Sequence, residues 1–272
     1  MDKEPLLSII TPVFNAESTI YKTIKSIKKQ GFEDFEFIII DSNSKDNSSK
    51  IINEHSEIVD KYIVEEDKGI YDAMNKGINL AKGKIIGIIN ADDQYNIGSF
   101  VAIQNAYQDN LKNTVFFSDL IVTYGSEEII MKADNRISSI KLGNSQISHP
   151  TMFVPKEIYL KYGSFNLNFD TYGADRELIL RFKKQKVKFC KLDHNISIFN
   201  FGGATSNYDL KNIVKQTIQE FNLLKMYFKI PISIKTTLKF FLRLMRNLVL
   251  SKILPRSIFL KFRIKKLGFK IK

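Results

Sequence analysis

The stretch IYDAMNKGINLAKGKIIGIINADDQY, residues 70–95, contains a change of hydrophobic period that decides the fold. Its first half has apolar residues at helical spacing, which are Ile70, Ala73, Met74, Gly77, Ile78 and Ala81. Gly83 ends the predicted helix, and KIIGIIN then predicts a short buried strand. Two adjacent carboxylates, Asp92 and Asp93, follow that strand directly. This order is typical of an α/β sheet with a binding site beyond the carboxyl end of a strand.

The residues before this stretch repeat the alternation of strand and helix. LLSIITPVFN predicts a strand that ends at Pro12, FEFIIID predicts a second strand, and KYIVEE predicts a third. Helices are predicted between them by apolar residues at helical spacing, which are Ile20, Ile24 and Ile27 before Gly31 and then Ile51 and Ile52. The order predicts right-handed crossovers and a mostly parallel sheet with helices on both faces.

Composition places the chain among soluble globular proteins. Of its 272 residues, 44% are hydrophobic and 26% are charged, which are ordinary values. The single cysteine, Cys190, excludes an internal disulfide and argues against a zinc or thiol-redox site. The first residues, MDKEPLLSIITPVFN, carry charges of both signs and lack the pattern of a signal peptide. We therefore expect a cytoplasmic protein.

The net charge of +12 is concentrated in the C-terminal region. Residues 221–272 contain 14 Lys or Arg and no Asp or Glu, whereas the first 220 residues carry 27 basic and 29 acidic side chains. A helix here would have a basic and an apolar face, with Lys235, Lys239, Arg243 and Arg246 opposite Leu238, Phe241, Leu242, Met245, Leu248 and Val249. We therefore divide the chain into an α/β domain, residues 1–205, and a basic amphipathic helical region, residues 206–272.

Such a helix suits an anionic membrane surface, where lipid headgroups would meet its basic side chains. It lacks the roughly 18 uncharged apolar residues of a spanning helix, so we expect it to lie on a bilayer. The same pattern fits a helix that packs its apolar face on the α/β domain. Nucleic acid is a disfavoured partner, because the Phe residues lie on the apolar face and not among the basic side chains.

Polar side chains cluster after each of the four predicted strands. The first cluster lies in TPVFNAE, the second begins at Asp41, the third lies in EEDKGIYDAMNKG, and the fourth contains Asp92 and Asp93. Turn formation explains each cluster alone, because Asp, Asn and Ser make local hydrogen bonds in turns. Four clusters at one edge of a sheet are better explained by a shared binding site.

The phosphate-binding motifs of common nucleotide enzymes are missing. The sequence has no G-x-x-x-x-G-K-[ST] loop, and no G-x-G-x-x-G follows the first strand. A phosphate site without a glycine-rich loop needs another positive charge, which a divalent cation on carboxylates supplies. Asp92 and Asp93 are the ligands that we expect, and their hard oxygen atoms favour Mg²⁺ or Mn²⁺.

Five segments together resemble the successive motifs of family 2 glycosyltransferases. They are SIITPVFNAESTIYKTIKSI, FEFIIIDSNSKDNS, EEDKGIYDAMNKGINLAKGKIIGIINADDQY, SHPTMFVPKEIYLKYGSFN and YGADRELILRF, in that order within residues 6–205. The resemblance implies the GT-A fold, in which a nucleotide-binding sheet carries an acceptor-binding half. It implies inverting transfer of a sugar from a nucleotide-diphosphate donor, and it does not extend to the C-terminal region.

The resemblance also assigns roles to residues. Asp41 matches the aspartate that hydrogen-bonds the base of the donor. The other residues implied at the nucleotide sugar are Thr11, Pro12, Phe14, Asn15, Glu17, Ser44, Asp67, Lys68, Gly69, Asn75, Lys76, Asn90, Ala91 and Asp92. Asp93 matches the metal ligand, but the motif is Ala-Asp-Asp instead of D-x-D, so Asp92 and Asp93 both stay open as the direct ligand. His149 and Arg181 belong to motifs of the acceptor half.

Asp175, in the segment GADRE, matches the catalytic base of the family. A base at this position would take the proton of an acceptor hydroxyl as its oxygen attacks the anomeric carbon. A cation would meanwhile neutralise the charge of the departing nucleoside diphosphate. The alternative for Asp175 is an acid in the first turn of a helix, where it interacts with the helix dipole.

These expectations describe a metal-dependent glycosyltransferase of the hexosyltransferase type, peripheral on the inner face of the cell membrane. Asp41 favours a UDP-sugar donor, with guanine and thymine nucleotide sugars as the open alternatives, and the basic region favours a lipid-linked saccharide acceptor in surface polysaccharide or lipopolysaccharide assembly. Two other functions fit parts of the sequence. A sugar nucleotidyltransferase would release pyrophosphate, and a catalytically silent nucleotide-sugar-binding module would only dock on a membrane.

Overall fold

The computed structural model describes residues 4–107, 111–124, 127–134, 136, 147–169, 173–200, 210–255 and 258. These residues contain a seven-stranded sheet in the order β10-β6-β9-β4-β1-β2-β3. Its strands are β1 Leu7–Val13, β2 Phe35–Asp41, β3 Lys61–Val64, β4 Ile85–Ile88, β6 Thr114–Phe117, β9 Phe153–Pro155 and β10 Lys188–Lys191. Strand β9 is antiparallel to β4 and β6, and the other pairs are parallel. The predicted mostly parallel sheet is confirmed.

Helices cover both faces of this sheet, and its inner strands β1, β2, β4, β6 and β9 are almost fully buried. They are α1 Ile20–Lys28, α2 Ser48–Asn53, α3 Ile70–Leu80, α4 Ser99–Ala106, α5 Lys156–Tyr162 and α6 Ala174–Lys184. Ile10 and its neighbours on one face share a hydrophobic cluster with α3, α5 and α6. Ile9 and its neighbours on the other face share a cluster with α1, α2 and α4. The alternation of side chains along each strand thus produces two cores.

A second, four-stranded sheet lies at the carboxyl edge of the first, in the order β5-β11-β7-β8. Its strands are β5 Gln94–Tyr95, β7 Leu120–Tyr124, β8 Glu127–Met131 and β11 Ser197–Asn200. The Asn200 side-chain amide donates a 2.8 Å hydrogen bond to the Asp92 carbonyl. This bond ties the second sheet to the turn that carries Asp92 and Asp93.

Two helices form the described C-terminal region, α7 Leu210–Tyr227 and α8 Ile230–Ile253. Leu223 of α7 is fully buried in the cluster that also contains residues of α3, α5 and α6. Helix α8 packs on α7 through Phe240 and Leu244 against Ile213. Within the described ranges, none of the helices combines the length and the apolar character that a membrane span requires. The predicted division between residues 205 and 206 lies outside the described residues.

The predicted apolar face of α8 is partly wrong. The side chains that it buries are Ser233, Thr236, Thr237, Phe240, Leu244 and Asn247. Phe241, Met245 and Leu248 are partly buried beside them, as predicted, but Leu238, Leu242 and Val249 are exposed. Arg243 was expected on the basic face and instead lies over the Phe240 ring, with its guanidinium carbon 5.2 Å from the ring centroid. The reason is that α8 has apolar residues around most of its circumference, so periodicity alone does not select the side that meets α7.

Strand β1 continues through Pro12 to Val13, contrary to the prediction that it ends at Pro12. Val13 faces β2, since its carbonyl accepts a hydrogen bond from the Ser42 N–H. Pro12 therefore faces the opposite neighbour, β4, whose pairing with β1 ends at Ile10. The missing N–H of Pro12 thus removes no ladder hydrogen bond, which explains why a proline is accommodated in a central strand.

Gly83, at the entrance to β4, is buried against the backbone of β1. A Cβ atom on Gly83 would lie 2.6 Å from the Leu7 carbonyl carbon and from the Ser8 nitrogen. Backbone atoms of a central strand cannot move aside as the end of a flexible side chain can. We expect Gly83→Ala to lower the free energy of unfolding by about 1–3 kcal/mol in urea titrations. The neighbouring Lys82→Ala, at an exposed side chain, is the control, and equal stability of the two variants would contradict this packing.

Candidate active site

The candidate site lies at the edge where the parallel strands β1 to β4 end. Val13 is paired with Asp41, and Asp41 is paired with Val64, so the loops after β1, β2 and β3 begin side by side. Strand β4 enters the same edge, because Ile88 is paired with Ile10 of β1. The four polar clusters predicted from the sequence are therefore brought together.

The loops after β1 and β2 are held to each other by hydrogen bonds. The Ser44 hydroxyl accepts a 2.9 Å bond from the Asn15 N–H, and the Asn15 side-chain oxygen accepts a 2.9 Å bond from the Lys45 N–H. One Glu17 oxygen accepts from both the backbone and the side-chain amide of Asn47, at 2.9 and 2.8 Å. Three side chains expected at the nucleotide sugar thus fix the shape of this edge, and Phe14 between them is exposed.

Asp41 is buried at the end of β2, and both of its carboxylate oxygens accept hydrogen bonds. One accepts a 2.8 Å bond from the Ser44 N–H, and the other accepts a 2.8 Å bond from the Tyr62 hydroxyl. Burial raises the pKa of Tyr62 to about 12, so its hydroxyl stays a donor at neutral pH. Sequence reasoning missed Tyr62, which its position in β3 could have suggested. Thr11 and Pro12 are buried within β1, behind this edge.

The loop after β3 is joined to the same edge through Asp67, whose carboxylate accepts from the Ser42 hydroxyl and, at 2.8 Å, from the Gly69 N–H. Lys68 between them is exposed. Lys76 on α3 holds this loop from behind, because its ammonium donates to the Glu66 carbonyl at 2.6 Å. The 67–69 segment is thereby kept beside the end of β2.

Asn75, which the resemblance implies at the nucleotide sugar, is hydrogen-bonded to the backbone of Phe165. Its side-chain amide donates to the Phe165 carbonyl at 2.9 Å and accepts from the Phe165 N–H at 2.9 Å. Tyr71, one turn earlier, stacks on the Phe165 ring with centroids 5.3 Å apart. Tyr71 is therefore buried, whereas Ile70, expected on the apolar face of α3, is exposed. Asn75 thus positions Phe165.

Asp92 and Asp93 differ sharply in their surroundings. Asp93 has no exposed surface, one of its oxygens accepts a 3.2 Å bond from the Asn90 side-chain amide, and the other has no hydrogen-bond partner among the described residues. Burial and the nearby charge of Asp92 raise the pKa of Asp93 well above its usual range. Asp92 is half-buried, and burial raises its pKa too.

A divalent cation fits this pair of carboxylates. The described residues contain no group of three or more His, Cys, Asp or Glu side chains placed to hold a metal. Mg²⁺ in phosphate sites is held by one or two carboxylates together with the phosphates and water, so one accessible aspartate with an acidic neighbour is enough for such a site. The unpartnered oxygen of buried Asp93 is the feature that a positive charge nearby would stabilise.

Asn90 links the aspartate turn to the acceptor half. Its side-chain oxygen accepts a 3.2 Å bond from His149 Nε2, while its amide group donates to Asp93. This assignment leaves Nδ1 of a neutral His149 without a proton. Burial lowers the pKa of His149, and the nearby charge of Asp175 opposes that effect.

His149 and Asp175 line one cavity beyond the end of β4. The other lining residues are apolar or aromatic, and they are Ile88, Met152, Tyr159, Phe165 and Leu178. Asp175 is half-buried in the first turn of α6, where its carboxylate accepts a 2.8 Å bond from the Arg176 N–H. This position suits either a proton acceptor facing the cavity or an acid that stabilises the helix end.

Arg181, expected on the acceptor side, holds the protein's own backbone. Its guanidinium donates to the carbonyls of Tyr162, Gly163 and Ser164, the last two at 2.8 and 2.5 Å. It also pairs with Glu177 at 2.9 Å. These bonds fix the turn that leads from α5 to Phe165, one of the residues that line the cavity.

Comparison with known families shows the family to which the chain belongs. The model of glycosyl transferase family 2 matches residues 8–171, which include the edge loops and the aspartate turn. The chain belongs to glycosyl transferase family 2.

Relatives of this family 2 chain are found in several bacteria. It is 29% identical over 209 residues to an uncharacterized glycosyltransferase of Rickettsia prowazekii, covering 71% of this chain and 63% of that protein. It is 26% identical over 227 residues to a PGL/p-HBAD biosynthesis glycosyltransferase of Mycobacterium bovis, covering 78% and 84%. It is 29% identical over 191 residues to the GalNAc(5)-diNAcBac-PP-undecaprenol beta-1,3-glucosyltransferase of Campylobacter jejuni, covering 67% and 61%. The chain thus spans less than two thirds of the Rickettsia and Campylobacter proteins.

A solved structure supports the fold of the family 2 chain. Residues 1–349 of S. aureus TarS, in complex with UDP-GlcNAc, superpose with a TM-score of 0.63 and 16% identity, covering 86% of this chain and 71% of that one. The likeness confirms the GT-A fold that the sequence motifs implied.

The burial of the Asp93 carboxyl group predicts that the stability of the folded protein depends on pH. Because the pKa of Asp93 is raised, the folded state keeps a proton that the unfolded state releases above about pH 4. Stability therefore falls as the pH rises from about 4 to the raised pKa, by about 1.4 kcal/mol for each pH unit of that window. Asp93→Asn removes this loss and keeps an acceptor for Asn90.

We expect Asp93→Asn to have a higher thermal midpoint than the parent protein at pH 7 in EDTA, with the difference shrinking toward pH 4. Differential scanning calorimetry at the two pH values measures this. Asp92→Asn, at the half-buried neighbour, is the matched control and should gain less. An unchanged or lower midpoint for Asp93→Asn at pH 7 would show that the carboxylate is not destabilised by burial.

Proposed function

We propose that this family 2 protein is an inverting hexosyltransferase that moves a sugar from a UDP-sugar to a hydroxyl of a saccharide acceptor. The observation that carries the proposal is the cavity shared by Asp175, His149 and Ile88. Ile88 ends a strand of the nucleotide edge, and His149 is hydrogen-bonded to Asn90 of the aspartate turn. A carboxylate of the acceptor half therefore lies beside the edge where the donor diphosphate would be held.

The donor proposal rests on Asp41 and on the related structures. The carboxylate of Asp41 is preorganised by Ser44 and Tyr62 at the end of β2, where the base would lie. TarS, which shares the fold, has been solved with UDP-GlcNAc and with UDP. Uracil offers a ring N–H to a fixed carboxylate, as thymine and guanine do, and we propose UDP because TarS has been solved with it.

Asp92 is the direct metal ligand in this proposal, because Asp93 has no exposed surface and Asp92 is half-buried. Bound Mg²⁺ or Mn²⁺ would neutralise the charge that develops on the departing diphosphate. Asp93 would then support the turn from below through Asn90, and its raised pKa would fall as a cation approaches.

Asp175 would act as the base on the opposite side of the sugar. Its carboxylate takes the proton of the acceptor hydroxyl as that oxygen bonds to the anomeric carbon and the bond to the diphosphate oxygen breaks. The apolar lining from Met152, Tyr159 and Phe165 limits water at this point, which favours the acceptor hydroxyl over hydrolysis. One displacement with a single carboxylate inverts the anomeric centre.

The experiment is a panel of nucleotide sugars, incubated with the purified chain with Mn²⁺, with Mg²⁺ or with EDTA. We expect metal-dependent release of intact UDP from one UDP-sugar. Asp175→Asn should reduce that release by about 10²–10⁴-fold without changing donor affinity, because it removes only the proton acceptor. Asp134→Asn, at an aspartate outside the site, is the control. Release of pyrophosphate would indicate a nucleotidyltransferase, binding without turnover a silent module, and full activity of Asp175→Asn would defeat the assignment.

We also propose that the acceptor is lipid-linked and that the protein works at the inner, cytoplasmic face of the membrane. One relative is named for an undecaprenol-linked saccharide, which supports a lipid-linked acceptor, and another is named for PGL/p-HBAD biosynthesis. The structure adds an exposed apolar ridge on α8, formed by Ile234, Leu238, Leu242 and Val249, each about half exposed. Their spacing places them on one side of the helix.

The charges around this ridge favour an anionic lipid surface. Lys235, Lys239 and Arg246 are exposed along one flank of it. Since residues 221–272 contain no Asp or Glu, no acidic side chain of this region opposes the approach of anionic headgroups. The ridge would enter the headgroup layer while the flanking cations bind phosphates, with the helix parallel to the surface.

Cosedimentation with lipid vesicles tests whether the ridge on α8 binds a membrane surface. We expect the chain to cosediment with vesicles containing phosphatidylglycerol and less with pure phosphatidylcholine. The double variant Leu238→Gln/Leu242→Gln should bind the anionic vesicles at least about tenfold more weakly, because two exposed leucines that would enter the bilayer are lost. Leu160→Gln, at an exposed leucine of α5, is the matched control. Equal binding of the double variant and the control would remove α8 as the contact surface.

A further inference from the structure

The helix that carries Asp175 is held by the C-terminal helix α7. Arg176, the residue after Asp175, forms an ion pair with Glu220 of α7. Glu177, the next residue, accepts a 2.6 Å hydrogen bond from the Tyr227 hydroxyl. Glu220 and Tyr227 are seven residues apart, so they lie on the same face of α7. They bind two consecutive residues of α6.

The contact between the helices is buried. Glu220 has no exposed surface and Arg176 is 4% exposed, so neither charge has access to bulk water. Leu223, on the same face of α7 between Glu220 and Tyr227, belongs to the core cluster of Ala174 and Leu178 on α6. Helix α7 therefore packs directly on the first two turns of α6 through an ion pair, a hydrogen bond and apolar contacts.

The buried pair of Glu220 and Arg176 suggests that Glu220 positions α6 and does not merely add charge to the protein surface. Glu220 is the last acidic residue of the chain, and the 52 residues that follow it contain only basic charges. Its carboxylate is nevertheless used inside the protein, on the residue adjacent to Asp175. On the other side, Glu177 is shared between Tyr227 and Arg181, and Arg181 holds the turn that precedes the cavity residue Phe165. The face of α7 thus reaches the cavity through both α6 and this turn.

We propose that Glu220 and Tyr227 are positioning residues that hold the Asp175 carboxylate toward the acceptor side of the cavity. The proposal rests on the proposed function, in which Asp175 is the base. It assigns to the C-terminal region, which the family model does not match, a part in the catalytic geometry. Neither residue touches the substrates, and both act through α6.

Two conservative variants test whether these contacts of α7 with α6 position Asp175. Glu220→Gln keeps the size and one acceptor of the side chain but removes the charge that pairs with Arg176. Tyr227→Phe removes only the hydroxyl that donates to Glu177, and it serves as the variant that folds if Glu220→Gln does not. Lys225→Gln, at an exposed position of α7, and Tyr21→Phe, at an exposed tyrosine of α1, are the matched controls.

The activity readout is UDP release from UDP-glucose or UDP-N-acetylglucosamine in the full chain with Mn²⁺. We expect Glu220→Gln to lower kcat by about tenfold or more and Tyr227→Phe by about three- to tenfold, with donor Kd unchanged. In an Asp175→Asn background, each substitution should change the remaining rate by less than about twofold, because there is no longer a base to position. A merely structural role would lower the rate equally in both backgrounds.

Hydrogen exchange gives a second readout that does not depend on turnover. Amides of residues 174–184 should exchange faster in both variants than in the controls, while those of β2 stay unchanged. Unchanged exchange in α6, or a loss of rate that is the same with and without Asp175, would overturn the proposal. Full activity of Asp175→Asn itself would instead reject the proposed function, so the two failures are distinguishable.

Discussion

The parallel pairing of β1 with β2 and β4 is the constraint on which the rest of the site depends. It places the ends of the first four strands at one edge, so that loops far apart in sequence start within hydrogen-bonding distance of each other. The mutual bonds of Asn15 with Ser44 and Lys45 are possible only in that register. A shift of one residue would turn Asp41 from the edge toward a core face and would leave a buried carboxylate without Ser44 and Tyr62.

The sheet could be predicted from the sequence because each crossover in the first 95 residues is short and has apolar residues at helical spacing. The predictions failed where the partner of a residue decides its environment. Pro12 is accommodated because β4 has already ended beside it, and Tyr71 displaces Ile70 from the core because Phe165 lies above it. Contact with α7 determines which side of α8 is buried. Because α8 has apolar residues around most of its circumference, its sequence alone does not indicate that side.

The candidate site could be predicted only in part, because the sequence shows local patterns but not contacts between distant residues. Aspartates at strand ends, such as Asp41 and Asp93, are visible as polar residues that interrupt an apolar run. Their partners are not, because the hydrogen bonds join residues far apart in sequence: Asn75 with Phe165, His149 with Asn90, and Arg181 with the 162–164 turn. Motif resemblance marks such residues as relevant without telling whether they touch a ligand. The structure places Asn75 and Arg181 on the protein's own backbone.

The packing of α7 bears on how the chain is divided into units. The predicted boundary at residue 205 separates a catalytic domain from a basic tail, and it stays a prediction. Yet Leu223 has no exposed surface, and Glu220 neutralises Arg176 inside the core. If Glu220 alone lost its charge, the Arg176 charge would remain buried and unpaired, a loss of about 3–5 kcal/mol where a whole domain has about 5–15 kcal/mol of stability. Physically, α7 therefore completes the core beside Asp175, and only α8, which reaches that core through α7, has the character of an appended surface element.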